Sequence, residues 1–176
     1  MKKIITIAGS NSQKSINKAL KNYASSLLEN VEIIAIDLND FILPIYGVDL
    51  EAENGIPKAA QRLDELLDSA DGFILSLAEH NGSYTAVFKN TIDWLSRINM
   101  NTWREKPMLL MATSPGQRGG ATVLQSAKTS LPFMGAKIIE SFSLPSFYDN
   151  FKEGKIVDEN YRIEIEQKSK KFSKEL

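Results

Sequence analysis

Three short segments collect nearly every residue in this chain that could do chemistry or hold a ligand. The first, Gly9-Ser10-Asn11-Ser12-Gln13-Lys14-Ser15-Ile16-Asn17, presents hydroxyls at Ser10, Ser12 and Ser15 where a helical pattern begins. Hydroxyls and free N–H groups at a helix N-terminus form a cup for a phosphate, and the helix dipole offsets part of its charge. Ser15 fits a plain N-cap equally well, with the rest of the segment a polar turn. No Gly-Lys-Ser/Thr follows, so this is not a Walker loop. With Gly9 as its only glycine it is not the G-x-G-x-x-G dinucleotide fingerprint either, and Asp37 then reads as an ordinary loop residue. The second segment, Ala78-Glu79-His80-Asn81-Gly82-Ser83, carries an Asn-Gly turn signal that lets backbone approach a ligand. The third, Thr113-Ser114-Pro115-Gly116-Gln117-Arg118-Gly119-Gly120, brings Gly116, Gly119 and Gly120 together ahead of a helix. That pattern suits backbone pressed against a planar or anionic ligand, or a simple glycine-rich turn.

The elements that must position these segments alternate from end to end. Residues 3–8, 31–36, 72–78, 107–112 and 136–142 are short apolar runs suited to strands covered on both faces. Between them, stripes at helical spacing run through Ile16, Ala19, Leu20, Tyr23 and Leu27, and through Ile56, Ala59, Ala60, Leu63 and Leu67. Two more run through Tyr84, Val87, Phe88, Thr91, Ile92 and Leu95, and through Val123, Leu124, Ala127, Leu131 and Met134. Val157, Tyr161 and Ile165 open a fifth, which ends in a solvated, charge-balanced run. The pattern predicts one α/β domain over 1–176, a three-layer α/β/α sandwich on a parallel sheet. Residues 38–55, with Pro44, Gly47 and Gly55, read as a loop over the sheet edge. In such a sheet ligands bind beyond the carboxyl ends of the strands, so the three segments should converge on one crevice.

Composition removes several alternatives. The 176 residues carry 21 Lys+Arg against 22 Asp+Glu, a balance with no basic face for nucleic acid. There is no cysteine and one histidine, which excludes disulfides, a thiolate nucleophile and multi-His or Cys metal centres. A Ser-His-Asp triad would have to use His80, and no G-x-S-x-G elbow presents its nucleophile. The opening Met-Lys-Lys-Ile-Ile-Thr-Ile reads as a first strand and not a signal peptide. No apolar stretch approaches the roughly 20 residues of a membrane span, so the expected setting is the cytoplasm.

Taken together, the segments resemble the NAD(P)H-dependent FMN reductase family, the flavodoxin-like group that includes quinone, azo and chromate reductases. The matches are Gly9, Ser10, Ser15 and Asn17; Glu79, Asn81, Gly82, Ser83, Lys89, Asn90, Ile92, Asp93 and Trp94; and Ser114, Gly116, Gly119 and Gly120. Ser12 departs from a usual Arg, Ala78 from Pro and His80 from Tyr, while Thr85-Ala86 replaces Pro-Gly. The resemblance implies a five-stranded sheet in the order 2-1-3-4-5, FMN as cofactor and NADPH or NADH as co-substrate. It implies that Ser10, Ser12, Ser15, Asn17 and the Ile16 amide hold the FMN phosphate. Backbone of Ala78, Glu79, His80 and Asn81 then lines the ribityl chain, and Ser114, Gly116, Gly119 and Gly120 border the isoalloxazine. Hydride passes from nicotinamide to the flavin and on to a small acceptor such as a quinone, azo compound or free flavin. The protein supplies position and electrostatics. A flavodoxin-type electron carrier is the alternative, though its T-x-T-G-x-T phosphate loop and strong acidity are missing. Family members commonly form dimers or tetramers. Trp94 and Ile98 lie off the buried stripe of their helix and point to the same, unless Trp94 caps the core from the side.

Overall fold

The computed structural model describes residues 1–176. Its central sheet contains β1 (Lys2–Gly9), β2 (Val31–Ile36), β3 (Gly72–Leu77), β4 (Lys106–Thr113) and β5 (Ala136–Leu144), in the order β2-β1-β3-β4-β5. Every neighbouring pair is parallel. The helices are α1 (Ile16–Ser26), α2 (Val48–Asn54), α3 (Lys58–Asp68), α4 (Ala86–Ile98), α5 (Ala121–Ser130), the single turn α6 (Phe147–Asn150) and α7 (Glu159–Lys174). The three layers are those the alternation of periods predicts, and the strand order is the flavodoxin-like one that the resemblance implies.

The pleat of the inner strands divides their apolar runs between two cores. Ile5, Ile7, Phe73, Leu75, Met108 and Leu110 pack with Leu63, Leu67, Phe88 and Ala127 of α3, α4 and α5. Ile4, Ile74, Leu109 and Met111 pack on the other face with Leu20 and Ala24 of α1 and Ile165 and Phe172 of α7. Burial on both faces holds for β1, β3 and β4 and fails for β2, an edge strand in which only Ile36 is buried.

Two helical expectations change. In α1 the deepest residues are Asn17, Leu20, Lys21, Ala24 and Ser25, so the buried face is rotated by about one residue from the apolar stripe. Polar groups can occupy that face because each finds a partner: Lys21 Nζ donates to Thr6 Oγ1 at 3.1 Å and Ser25 Oγ to the Lys21 carbonyl at 2.6 Å. Residues 38–55 are also not a bare loop. A 3-10 turn at Leu38–Asp40 is capped by Asp37, and α2 follows, with Asp49 and Glu51 in its first turn complementing the dipole. None of the α2 residues is buried, so no apolar period marks it.

Register sets where the site must lie. Gly9 of β1 is paired with Leu77 of β3, and Leu77 with Ala112 of β4. The three inner strands therefore release their loops at one level, side by side.

Candidate functional site

Loop 1 runs from Ser10 to Ser15. Ser15 is extended (φ −63°, ψ 120°) and caps α1, its Oγ accepting from the Lys18 N–H at 3.2 Å. The cap and the phosphate readings are compatible, because the Ser15 hydroxyl proton stays free to donate. The Ile16 and Asn17 N–H groups open the helix and have no acceptor within the protein. Ser10 Oγ accepts from the Ser12 N–H at 3.1 Å, which curls the loop into a cup.

Asn17 takes a different place from the one expected. It is 1% exposed, and its amide is engaged in the interior. Nδ2 donates to the Thr113 carbonyl at 3.1 Å, while Oδ1 accepts from Ser76 Oγ at 2.7 Å and from the Thr113 N–H at 3.1 Å. The side chain thus ties the start of α1 to the carboxyl ends of β3 and β4 instead of reaching a phosphate. Geometry explains the correction: Asn17 faces the sheet one turn ahead of Lys21, on the rotated face of α1.

Loop 2 is pinned in the same manner. Glu79–His80 and Ser83–Tyr84 form a hairpin whose turn residues, Asn81 (φ 51°) and Gly82 (φ 75°), both take the left-handed conformation that Asn-Gly favours. Glu79 Oε2 accepts the Val123 N–H at 2.8 Å, so its carboxylate caps the first turn of α5. Thr85 Oγ1 donates to the Gly9 carbonyl at 2.8 Å and accepts from the Phe88 N–H. Removing the remote cap in Glu79→Ala should destabilise the fold by about 1 kcal/mol and lower Tm by roughly 2–4 °C. A thermal melt equal to wild type would show that the contact carries no weight.

In loop 3, Gly119 (φ 58°) and Gly120 (φ 74°) are buried, and the protein's own chain fills the space a side chain would need. A Cβ on Gly119 would lie 2.8 Å from Pro145 N, and one on Gly120 would lie 2.9 Å from Ala112 Cβ. These glycines let the turn press against β4 and the exit of β5. Gly116 stays exposed, and its carbonyl accepts the Ser146 N–H at 2.9 Å.

The loops enclose a cleft of about 210 Å³. Of the predicted residues, Ser10, Ser12, Ser15, Ile16, Asn17, Ala78, Glu79, His80 and Ser114 line it, while Asn81, Gly116, Gly119 and Gly120 do not. Lys14, Thr113, Pro115 and Tyr148 also line it and were missed. Lys14 is the one cation in loop 1, and Tyr148 follows the carboxyl end of β5, so charge and the strand-end rule were the available signals. Beside the cup, Lys18 donates to Asp37 at 2.7 Å; this bond, aided by the Asn39 N–H, holds the Asp37 carboxyl below its ordinary range. A larger hollow of about 520 Å³ lies between Leu27, Glu29 and α7, and none of the three loops reaches it.

The rest of the middle motif is structural. Trp94 is fully buried, donates from Nε1 to the Pro44 carbonyl at 2.7 Å and meets Tyr46 edge-on at 5.0 Å. Asn90 accepts the Tyr46 N–H at 2.8 Å and donates to Pro44 at 3.0 Å. These contacts fasten residues 43–46 over α4. Trp94 therefore gives no argument for a second copy, because this chain already covers it.

A phosphorylated ligand fits this donor set. The cup offers three hydroxyls, two unsatisfied N–H groups and a lysine, and the one carboxylate in the cleft, Glu79, is engaged by Val123. Sites that enclose a drug-sized ligand measure about 300–1,000 Å³, so a cleft this small has room for a phosphate group and not for a whole nucleotide.

Strand order and layering define a flavodoxin-like α/β protein with a donor-lined cleft at the carboxyl ends of its inner strands. Residues 2–149 match the NADPH-dependent FMN reductase family, and the chain belongs to it. The quinone reductase of Escherichia coli K12 is 32% identical over 114 residues, an alignment spanning 65% of this chain and 59% of that protein's length. An NAD(P)H-dependent FMN reductase of Pseudomonas aeruginosa is 29% identical over 169 residues, 94% of this chain and 90% of its own. Among solved structures, the flavoenzyme NAD(P)H:(acceptor) oxidoreductase FerB of Paracoccus denitrificans superimposes with a TM-score of 0.76 at 26% identity, covering 99% of each chain. No helix is long and apolar enough to cross a membrane.

Proposed function

We propose that this protein is an FMN-dependent oxidoreductase that draws on NADH or NADPH to reduce a small acceptor such as a quinone, an azo compound or a free flavin. In this reading residues 1–176 form one FMN-binding domain that works as a cytoplasmic homo-oligomer. One observation carries the proposal: donors from loop 1 face a cleft walled by loops 2 and 3, in a chain of this family. Ser10, Ser12, Ser15 and the backbone N–H groups of Ile16 and Asn17 would hold the phosphate, and Ala78, His80 and Ser114 would flank what extends from it. FMN supplies, when bound, the two-electron chemistry that no side chain of the cleft offers. The residues contribute order. Asn17, Glu79 and Thr85 lock the three loops to one another, so the donors stand in place before a ligand arrives. Self-association is supported by the exposed row Ile42, Ile45 and Val48 beside loop 1, whose Asn11 carbonyl accepts from Asn39.

Purified protein should take up FMN and turn yellow, and NADH or NADPH should bleach it without oxygen. Protein that takes up no FMN overturns the proposal. Protein that binds FMN but is bleached by neither nucleotide is instead a carrier of the flavodoxin type.

A further inference from the structure

We propose that Tyr148 is the platform on which the adenine ring of the nicotinamide dinucleotide stacks, outside the flavin cleft. This rests on the flavin reading above. A nicotinamide dinucleotide joins two nucleotides, and only its nicotinamide must meet the flavin. The cleft has no room for a second nucleotide, so the adenylate half needs surface beyond it. In the same reading the flavin extends past Ala78, His80 and Ser114, none of which lines the shelf described next.

A shelf of about 510 Å³ runs along α1 between Gln13, Asn22, Phe147 and Tyr148. Ser15, Ile16 and Tyr148 line both shelf and cleft, so the two spaces are continuous. The hollows beside α3, α4 and α7 share no residue with the cleft. Tyr148 stands at the junction, 60% exposed, yet its place is fixed. The Ser146 N–H donates to the Gly116 carbonyl at 2.9 Å and the Phe147 N–H to the Ser114 carbonyl at 3.1 Å, which fastens α6 to loop 3. Phe147 is buried, stacks on Phe151 at 4.7 Å and meets the Tyr148 ring edge-to-face at 5.5 Å, bracing it from the core side. A tyrosine ring gives up little conformational freedom when it is covered, and every base has a π-face to offer it. Stacking reads the base and not the ribose 2′ position, so it serves NADH and NADPH alike.

The test uses the full-length protein saturated with FMN. The oxidised dinucleotide, whichever of NAD+ and NADP+ binds more tightly, is titrated calorimetrically beside nicotinamide mononucleotide, which lacks the adenylate half. Their reduced forms are compared in steady-state flavin reduction. In Tyr148→Ala the dinucleotide's Kd and KM should each rise about tenfold with kcat held, while the mononucleotide's values stay unchanged. Tyr148→Phe should keep the wild-type values. An unchanged Kd for the dinucleotide in Tyr148→Ala overturns the proposal, and so does an equal loss for both nucleotides, which marks a displaced loop. Wild-type protein that binds the mononucleotide as tightly as the dinucleotide also overturns it, and leaves the flavin reading intact. Wild-type protein that takes up no FMN, or whose flavin neither NADH nor NADPH reduces, overturns that underlying reading as well, a result seen before any substitution is made.

Discussion

Replacing Asn17 with alanine is expected to destabilise the protein by about 2–4 kcal/mol even without any ligand, because buried groups lose their partners. The Asn17 amide answers the Thr113 N–H, the Thr113 carbonyl and the Ser76 hydroxyl, and both Thr113 and Ser76 are at most 1% exposed. In the intact chain these groups are shielded from water and depend on the amide. FMN affinity should fall too, since loop 1 would no longer be tied to the ends of β3 and β4. Urea unfolding of the ligand-free protein separates this from a ligand contact. A residue that only touched phosphate would weaken FMN binding and leave the unfolding midpoint in place. An unchanged midpoint in Asn17→Ala would sink the clamp interpretation.

Asn17 also marks the boundary of what can be read along the chain. Continuous apolar runs identify the inner strands because burial on both faces leaves no room for polar alternation. Glycine, serine and Asn-Gly clusters at the ends of those runs locate the loops, since turn chemistry is local. The convergence of the loops follows from topology. Which side chain of a loop faces the cleft does not follow, because the deciding partner is remote: Asn17 bonds to a residue 96 positions away, and Glu79 to one 44 away. Lys21 misleads for the same reason. A lysine reads as solvent-facing until Thr6 is placed opposite it, and the apolar stripe of α1 is misjudged by that margin. Trp94 reverses the case, since Pro44 and Tyr46, far behind it in sequence, turn an apparent surface residue into a core one.

Lys21 supports the other large prediction. Its side chain is 1% exposed, with Nζ donating to Thr6 Oγ1 and Asn22 Oδ1, each at 3.1 Å. Burial, reinforced by Lys18 and opposed by Asp37, lowers its pKa from 10.5 to about 8. Between those values the unfolded chain holds a proton that the folded chain has released, so stability rises with pH across that window. The contribution is complete above pH 10.5 and is lost as pH falls towards 8, a span of about 3 kcal/mol at most. Below pH 8 the folded protein carries a buried ammonium. Lys21→Met removes that charge, keeps a similar volume and leaves Thr6 Oγ1 without its donor, a loss of about 1 kcal/mol. The variant should therefore be more stable than wild type at pH 7 by about 1–2 kcal/mol, with the advantage shrinking or reversing by pH 10. Other groups titrate in this range in both proteins, so the informative quantity is the difference between their urea midpoints at pH 7, 8.5 and 10. A difference that stays constant across those three values would mean that Lys21 keeps its proton on folding and that its burial has no consequence for the charge.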